Sequence, residues 1–248
     1  MKKRKIKLWA VISWLLVWQA CSMAVKSDIF LVSPLRVVSR LFELAVTAKF
    51  WQSIGFSLAR IGSGFLLAMC CGIVLAALAA RYSRIEELLA PAVLAIKTIP
   101  VASFIILALI WFSSRNLAVL ISFLMVLPII YTNVLDGIRA VKPEMLEMAA
   151  LFRIPAVTRV RCVYLPEVMP FFRSGCTVAL GLCWKSGIAA EVIGVPKGSI
   201  GEHLQQAKIY LETPDLFAWT IVIVLVSVLF EKIIRLLLDR LAARLMEV

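Results

Sequence analysis

Three lysine-hydroxyl pairs, Lys26-Ser27, Lys97-Thr98 and Lys185-Ser186, have the residue types that end a phosphate-binding loop, where the lysine reaches the terminal phosphates and the hydroxyl holds Mg. None follows the glycine pattern that would let backbone N–H groups wrap a phosphate, so ATP chemistry is not expected in this chain. The only histidine, His203, has no companion at a metal-ligand spacing, and no Gly-x-Ser-x-Gly elbow occurs. Cys21, Cys70, Cys71, Cys162, Cys176 and Cys183 form no Cys-x-x-Cys pair, and most fall in apolar runs, where cysteine serves as a small packing residue. The chain is not expected to be an enzyme.

The remaining residues with chemistry are charges inside apolar runs: Arg60, Lys97, Lys185 and Glu191. At a bilayer centre each costs at least about 2.5–3.5 kcal/mol, so such groups face a protein interior or a water-filled path, or snorkel to the interface. Lys185 and Glu191 lie about 240° apart around a helix and do not pair on it. Glu191 shares an i, i+4 row with Gly175, Ala179, Cys183 and Gly187, and Gly64, Ala68, Gly72, Ala76 and Ala80 make a similar ladder. Two readings stay open: these faces pack helices closely, or they line a pathway. Three interior cations against one acid lean towards an anionic solute.

These charges need helices to hold them in a membrane. Of 248 residues, 62% are hydrophobic, against about 45–50% in soluble domains. Apolar stretches at about 8–25, 54–80, 88–112, 117–135, 174–194 and 216–236 predict six transmembrane helices in an all-α polytopic membrane protein. Pro100 and Pro128 predict kinks or broken helices. The net charge of +12 is accounted for by Lys and Arg gathered on one side rather than by nucleic acid. With both termini cytoplasmic, the outer segments keep only Lys26, Arg36, Arg40, Lys49, Arg115, Lys197 and Lys208. The basic, apolar amino terminus resembles a secretory signal, but residues 8–25 are long enough to cross a bilayer and are read as a retained helix. Residues 34–51 have helical periodicity suited to the outer lipid interface, with Trp51 as anchor. No internal repeat is visible, which disfavours many secondary-transporter folds.

The longest cytoplasmic loop, 139–173, is built differently from its surroundings. Pro143 opens a helix with Glu144 and Glu147 near its positive end, and Pro155 stops it. A second short helix is expected at about 157–164, ended by Pro166. By chemistry alone this is equally a solvated charged loop.

The spacing adds more. Glu147, Ala149, Leu165-Pro166, Pro170 and Gly175 resemble the signature of permease subunits of binding-protein-dependent ABC importers. The stretches "FSLARIGSGFLLA", "IKTIPVASFIILALIWF", "LPIIYTNVLDGI" and "WKSGIAAEVIG" are similar to the nitrate, sulfonate, taurine and bicarbonate branch, over residues of about 50 to 240. Met148 stands where the family has alanine and Arg153 where it has glycine, so the bend there is expected to be built another way, through Pro155.

The resemblance implies a type I importer fold. It divides the chain into 1–50 (a transmembrane and an interfacial helix), 51–240 (the transmembrane domain) and 241–248 (a cytoplasmic tail). It implies that Glu147, Ala149, Arg153, Leu165, Pro166, Pro170 and Gly175 couple the chain to separate ATPase subunits, which would bind ATP and Mg. It further implies a second permease copy, an extracytoplasmic solute-binding protein, a cell-membrane location, and a pathway in which Arg60, Lys97, Lys185 and Glu191 are the candidate residues. The cargo would be a small anion such as nitrate, taurine or an alkanesulfonate. The alternatives are a pyrimidine-type vitamin precursor, or an ion-coupled secondary transporter.

Overall fold

The computed structural model describes residues 8–25 and 30–246, and among them helices are the only regular structure. Residues 1–7 with the basic amino terminus, 26–29 with Lys26-Ser27, and 247–248 of the tail lie outside the described residues. An apolar helix α1 (Leu8–Val25) is followed by α2 (Pro34–Ala45). Ser33 starts α2 by accepting the Arg36 N–H, and Pro34 occupies its first turn, where no N–H is needed. A break at Val46 and Thr47 separates α2 from α3 (Ala48–Arg81). The expected interfacial helix therefore ends at Ala45, and Trp51 belongs to α3, its indole N–H donating back to the Ala45 carbonyl at 2.9 Å. The 50/51 division falls inside α3.

Next come α4 (Ser83–Thr98) and α5 (Val101–Trp111), bent by 109° at Ile99-Pro100. Proline excludes its predecessor from the helical region, and Ile99 is accordingly extended. The stretch 88–112 is thus a sharply broken pair, one of the two outcomes expected at Pro100. Then follow α6 (Ser114–Arg139), α7 (Pro143–Leu151), α8 (Ala156–Arg159), a π-turn (Val160–Tyr164), α9 (Leu165–Gly194), α10 (Ile200–Ile209) and α11 (Thr213–Met246). Among the described residues, α3, α6 and the continuous run Ala156–Gly194 are long and apolar enough to cross a bilayer, and the α4–α5 pair makes a fourth if its arms are one broken span. α1 is a shorter apolar helix, and α11 has no charge between Leu216 and Phe230. The architecture is compatible with six membrane-crossing segments.

The core is the packing of α3, α6 and α9. Small residues permit it: a Cβ on Gly64 would lie 2.5 Å from the Val119 carbonyl oxygen, and one on Gly187 would lie 2.6 Å from Ile61 and 2.7 Å from the Ser122 hydroxyl. Both small-residue ladders face this packing, except that Ala79 rather than Ala80 is buried at the end of the first. On α9, Trp184 is almost fully buried beside Phe230 of α11 and donates to the Ile223 carbonyl at 3.0 Å. At the opposite corner, Arg40 of α2 forks onto both oxygens of Asp215 in the first turn of α11 and also bonds Glu43 at 2.7 Å. The Asp215 hydrogen bond is the main reason the Arg40 pKa rises above its ordinary value. Trp18 of α1 completes this corner, stacking near Phe217 and donating to the Val32 carbonyl.

Candidate coupling helix and cavity site

α7 is a nine-residue helix whose only buried residue is Ala149, 0% exposed. Its end is a complete Schellman turn: Arg153 N–H bonds the Ala150 carbonyl at 3.0 Å and Ile154 N–H bonds the Ala149 carbonyl at 2.9 Å. The residue that makes this turn is left-handed, and it is Arg153, with φ 51°. The expectation that the bend would be built another way is therefore corrected: the backbone adopts the glycine-type turn with an arginine in it, Pro155 following two residues later. Glu147 is exposed on the same helix. Around the turn, Leu151 and Phe152 are 80% and 71% exposed, with Met145, Met148 and Val157 also exposed.

Left-handed backbone costs an L-residue about 1–2 kcal/mol, part of which glycine's greater unfolded-state freedom offsets. Arg153→Gly is therefore expected to stabilise α7 by up to about 1 kcal/mol. Slower amide exchange over 143–155 checks this; unchanged or faster exchange would show that Arg153 carries other interactions in the turn.

The second short helix does not end at Pro166. Instead, α8 passes through the π-turn directly into α9, in one run from Ala156 to Gly194. The Leu165 N–H reaches back to the Val160 carbonyl, an i to i−5 bond that widens the turn just where Pro166 can neither donate nor fit a tight helix. Leu165, Pro166 and Pro170 thus lie on the membrane helix itself, with Pro170 inside it. Gly175 is buried against α6, where a Cβ would come 2.8 Å from that of Asn133. The signature residues thus divide between α7, its terminal turn and the long helix that enters the core.

Of the four charges in apolar runs, only Arg60 and Glu191 lie near enough to interact electrostatically, without forming an ion pair. Lys97 ends α4 and is exposed, Lys185 is exposed on α9, and Arg60 is half-buried on α3. Glu191 is 0% exposed. One of its oxygens, Oε2, accepts the Ser57 hydroxyl at 2.7 Å and the Gly201 N–H at 3.3 Å, while the Ser57 hydroxyl accepts the Ile200 N–H at 3.0 Å. Glu191 and Ser57 together cap the positive end of α10 and join α3, α9 and α10. Ser199 also caps α10, accepting the Glu202 N–H at 3.0 Å, and Glu202 takes the Gly198 N–H in return. Ser57 and Gly201 were not singled out by sequence, and the Ser199-x-x-Glu202 pattern was the available signal.

His203 of α10 stacks on Trp219 of α11 with centroids 4.6 Å apart, and its Nε2 lies 3.0 Å from the Ser53 hydroxyl of α3. Burial, chiefly, pushes its pKa below 6.5, with Lys49 adding to this and Glu202 and Asp215 opposing it. The unfolded histidine takes up its proton near pH 6.5 and the folded one only at lower pH. The unfolded state therefore binds more protons in that window, and stability is lost as pH falls through it. The melting temperature of the solubilised chain is expected to drop on acidification below about pH 6.5, with His203→Gln flattening that part of the profile. An unchanged slope would assign it to other groups.

A cavity of about 480 Å³ is lined by Phe56, Ser113, Ser114, Arg115, Val195, Pro196 and Lys197. Arg60 sits over the Phe56 ring at 3.7 Å and donates to the Arg115 carbonyl. Val195, which ends α9, is held left-handed with φ 46°. Among the described residues no group of three His, Cys, Asp or Glu is placed to hold a metal.

The comparisons with known proteins agree with this build. Residues 68–247 match the family described as binding-protein-dependent transport system inner membrane component. Over 89% of its length the chain is 27% identical to a putative aliphatic sulfonates transport permease protein of Bacillus subtilis, covering 80% of that protein. It is 25% identical to a taurine transport system permease protein of Escherichia coli, over 90% of this chain and 83% of the relative. It is also 24% identical to a nitrate import permease protein of Synechococcus elongatus, over 93% and 84%. Because the family match runs from the middle of α3 to the end of α11, the chain belongs to the inner-membrane components of binding-protein-dependent transport systems.

Proposed function

We propose that this chain is the permease subunit of an ATP-driven importer that carries a small anion of the sulfonate or nitrate class into the cell. The observation that carries the mechanical part is α7: a short helix capped by a Schellman turn, exposing Met145, Met148, Leu151 and Phe152, and joined through the π-turn to a membrane helix. Such a patch fits a groove on a separate ATPase subunit, which would bind ATP and Mg. Movement of that subunit would pass along α8 and α9 to the packed helices. Both termini lie in the cytoplasm in this reading, and a binding protein delivers solute to the outer segments.

Two copies of the chain would enclose the pathway. Lys97 and Lys185 are exposed charges on apolar helices, and a second copy with a water-filled path between would relieve the cost of leaving them against lipid. The anion class is supported by the relatives' named cargoes and by the cations Arg60, Arg115 and Lys197 on the outer half.

Affinity purification of the tagged chain from its own membrane, in mild detergent after crosslinking, tests the proposal. A stoichiometric phosphate-loop ATPase in the eluate supports it. Recovery of the chain with no ATPase would move the reading to a secondary transporter.

A further inference from the structure

We infer that the outer cavity between α3, the start of α6 and the α9–α10 connection is an anion-docking site, where a sulfonate or small oxyanion rests on its way from binding protein to pathway. The inference deepens the anion-importer reading above and rests on it for the cargo.

The cavity brings cations together without neutralising them. Lys197 and Arg115 line it, and Arg60 stands beside it over Phe56. Among the described residues none of the three has a carboxylate within ion-pair distance, whereas Arg40, Arg139, Arg173 and Arg235 all do. Two cations on the wall, a third beside it and no ion-paired carboxylate give the cavity a positive potential that favours an anion. The missing counter-charge is supplied by an anionic ligand.

The neutral partners suit the same class. Ser113 and Ser114 bring hydroxyl donors to the wall, and the Ser114 end of α6, a 26-residue helix, adds its positive pole. A guanidinium fork on Arg115 matches two oxygens of a sulfonate or nitrate, and Lys197 supplies a point charge. Phe56 and Val195 give an apolar wall beside the charges, suited to a short alkyl chain. Glu191 lies behind this wall and not in it: Ser57, the residue it binds, is one turn from Arg60 on α3. Glu191 uses Oε2 on Ser57 and Gly201 and acts through space on Arg60, so it leaves Arg115 and Lys197 as the cations open to an anion.

The test uses the full chain in nanodiscs with chloride as probe, read by the line width of the chloride-35 resonance, and with methanesulfonate and nitrate as competitors. Line broadening displaced by both competitors, and about tenfold weaker competitor affinity in each of Lys197→Gln and Arg115→Gln, is the expected result. Arg84→Gln, an exposed arginine on α4, should behave as the parent chain. Two separate variants guard against one that fails to fold. Equal affinity in parent and both variants, or no displaceable broadening, would overturn the site. Uptake by the complete transporter, measured alongside, separates the two readings. Uptake of methanesulfonate or nitrate with no cavity binding sinks the docking site alone. Uptake of a neutral solute only would overturn the anion importer and, with it, the cavity's role for cargo.

Discussion

Replacing Glu191 with alanine is expected to lower the melting temperature of the solubilised chain by about 6–12 °C, the shift for a loss of about 3 kcal/mol in a chain of this size. The carboxylate accepts from Ser57 and Gly201 in a site with no solvent access. Alanine leaves those donors unsatisfied, at about 1–3 kcal/mol, and opens a cavity beside them. Glu191→Gln keeps an acceptor in place and is expected to stay within about 2–4 °C of the parent; the other carboxylate oxygen, Oε1, has no partner that an amide would lose. Gly201→Ala should damage the same junction by another route. Its Cβ would come 2.4 Å from the Glu191 backbone and Cβ, so α9 and α10 would have to separate. If Glu191→Ala melts with the parent, the carboxylate does not hold α10 to the bundle. If glutamine is as damaging as alanine, the negative charge itself is needed, and the hydrogen-bond account fails.

Elements with a local cause were legible in the sequence. The break at Pro100 follows from what proline does to its predecessor, and the row from Gly175 to Glu191 is buried because helical spacing puts those residues on one face. The size of the break was not legible, since the 109° angle is set by how α5 packs rather than by Pro100 alone. At Pro166 the expectation failed because the helix has a second solution, the π-turn, which leaves no local hydrophobic pattern. Arg153 failed the other way: the Schellman hydrogen bonds outweigh the strain of one left-handed arginine. The Glu191 junction was legible only in part. Ser57 and Glu191 are 134 residues apart, and nothing in the sequence near either says that they meet. The cavity lined by Arg115 and Lys197 was hidden for the same reason, because they and Arg60 come from three separate segments.

The largest functional loss is expected from Ala149→Pro. Proline has no N–H to close the helical turn, and its ring collides with the turn before it, costing about 3 kcal/mol in a helix interior. α7 is only nine residues long, and a helix so short has no reserve stability of its own. The Ala149 carbonyl is also the acceptor for Ile154 in the terminal turn, so the distortion reaches the bend that aims α8 and α9. If docking needs the folded α7, that loss corresponds to about hundredfold weaker engagement of the ATPase subunit. Solute uptake should collapse while the chain still inserts, because the α3, α6 and α9 packing lies away from the altered turn. Glu147→Lys should give a smaller defect, since it leaves the backbone whole and replaces an exposed acid on the proposed docking surface with a base. Uptake, surface abundance and co-purifying ATPase measured on the same cells separate the possibilities. Lost uptake with normal abundance and lost ATPase supports α7 as the coupling element. Lost uptake with the ATPase still bound would place docking elsewhere and leave α7 a role in transmitting the stroke. Normal uptake in both variants would remove α7 from the mechanism.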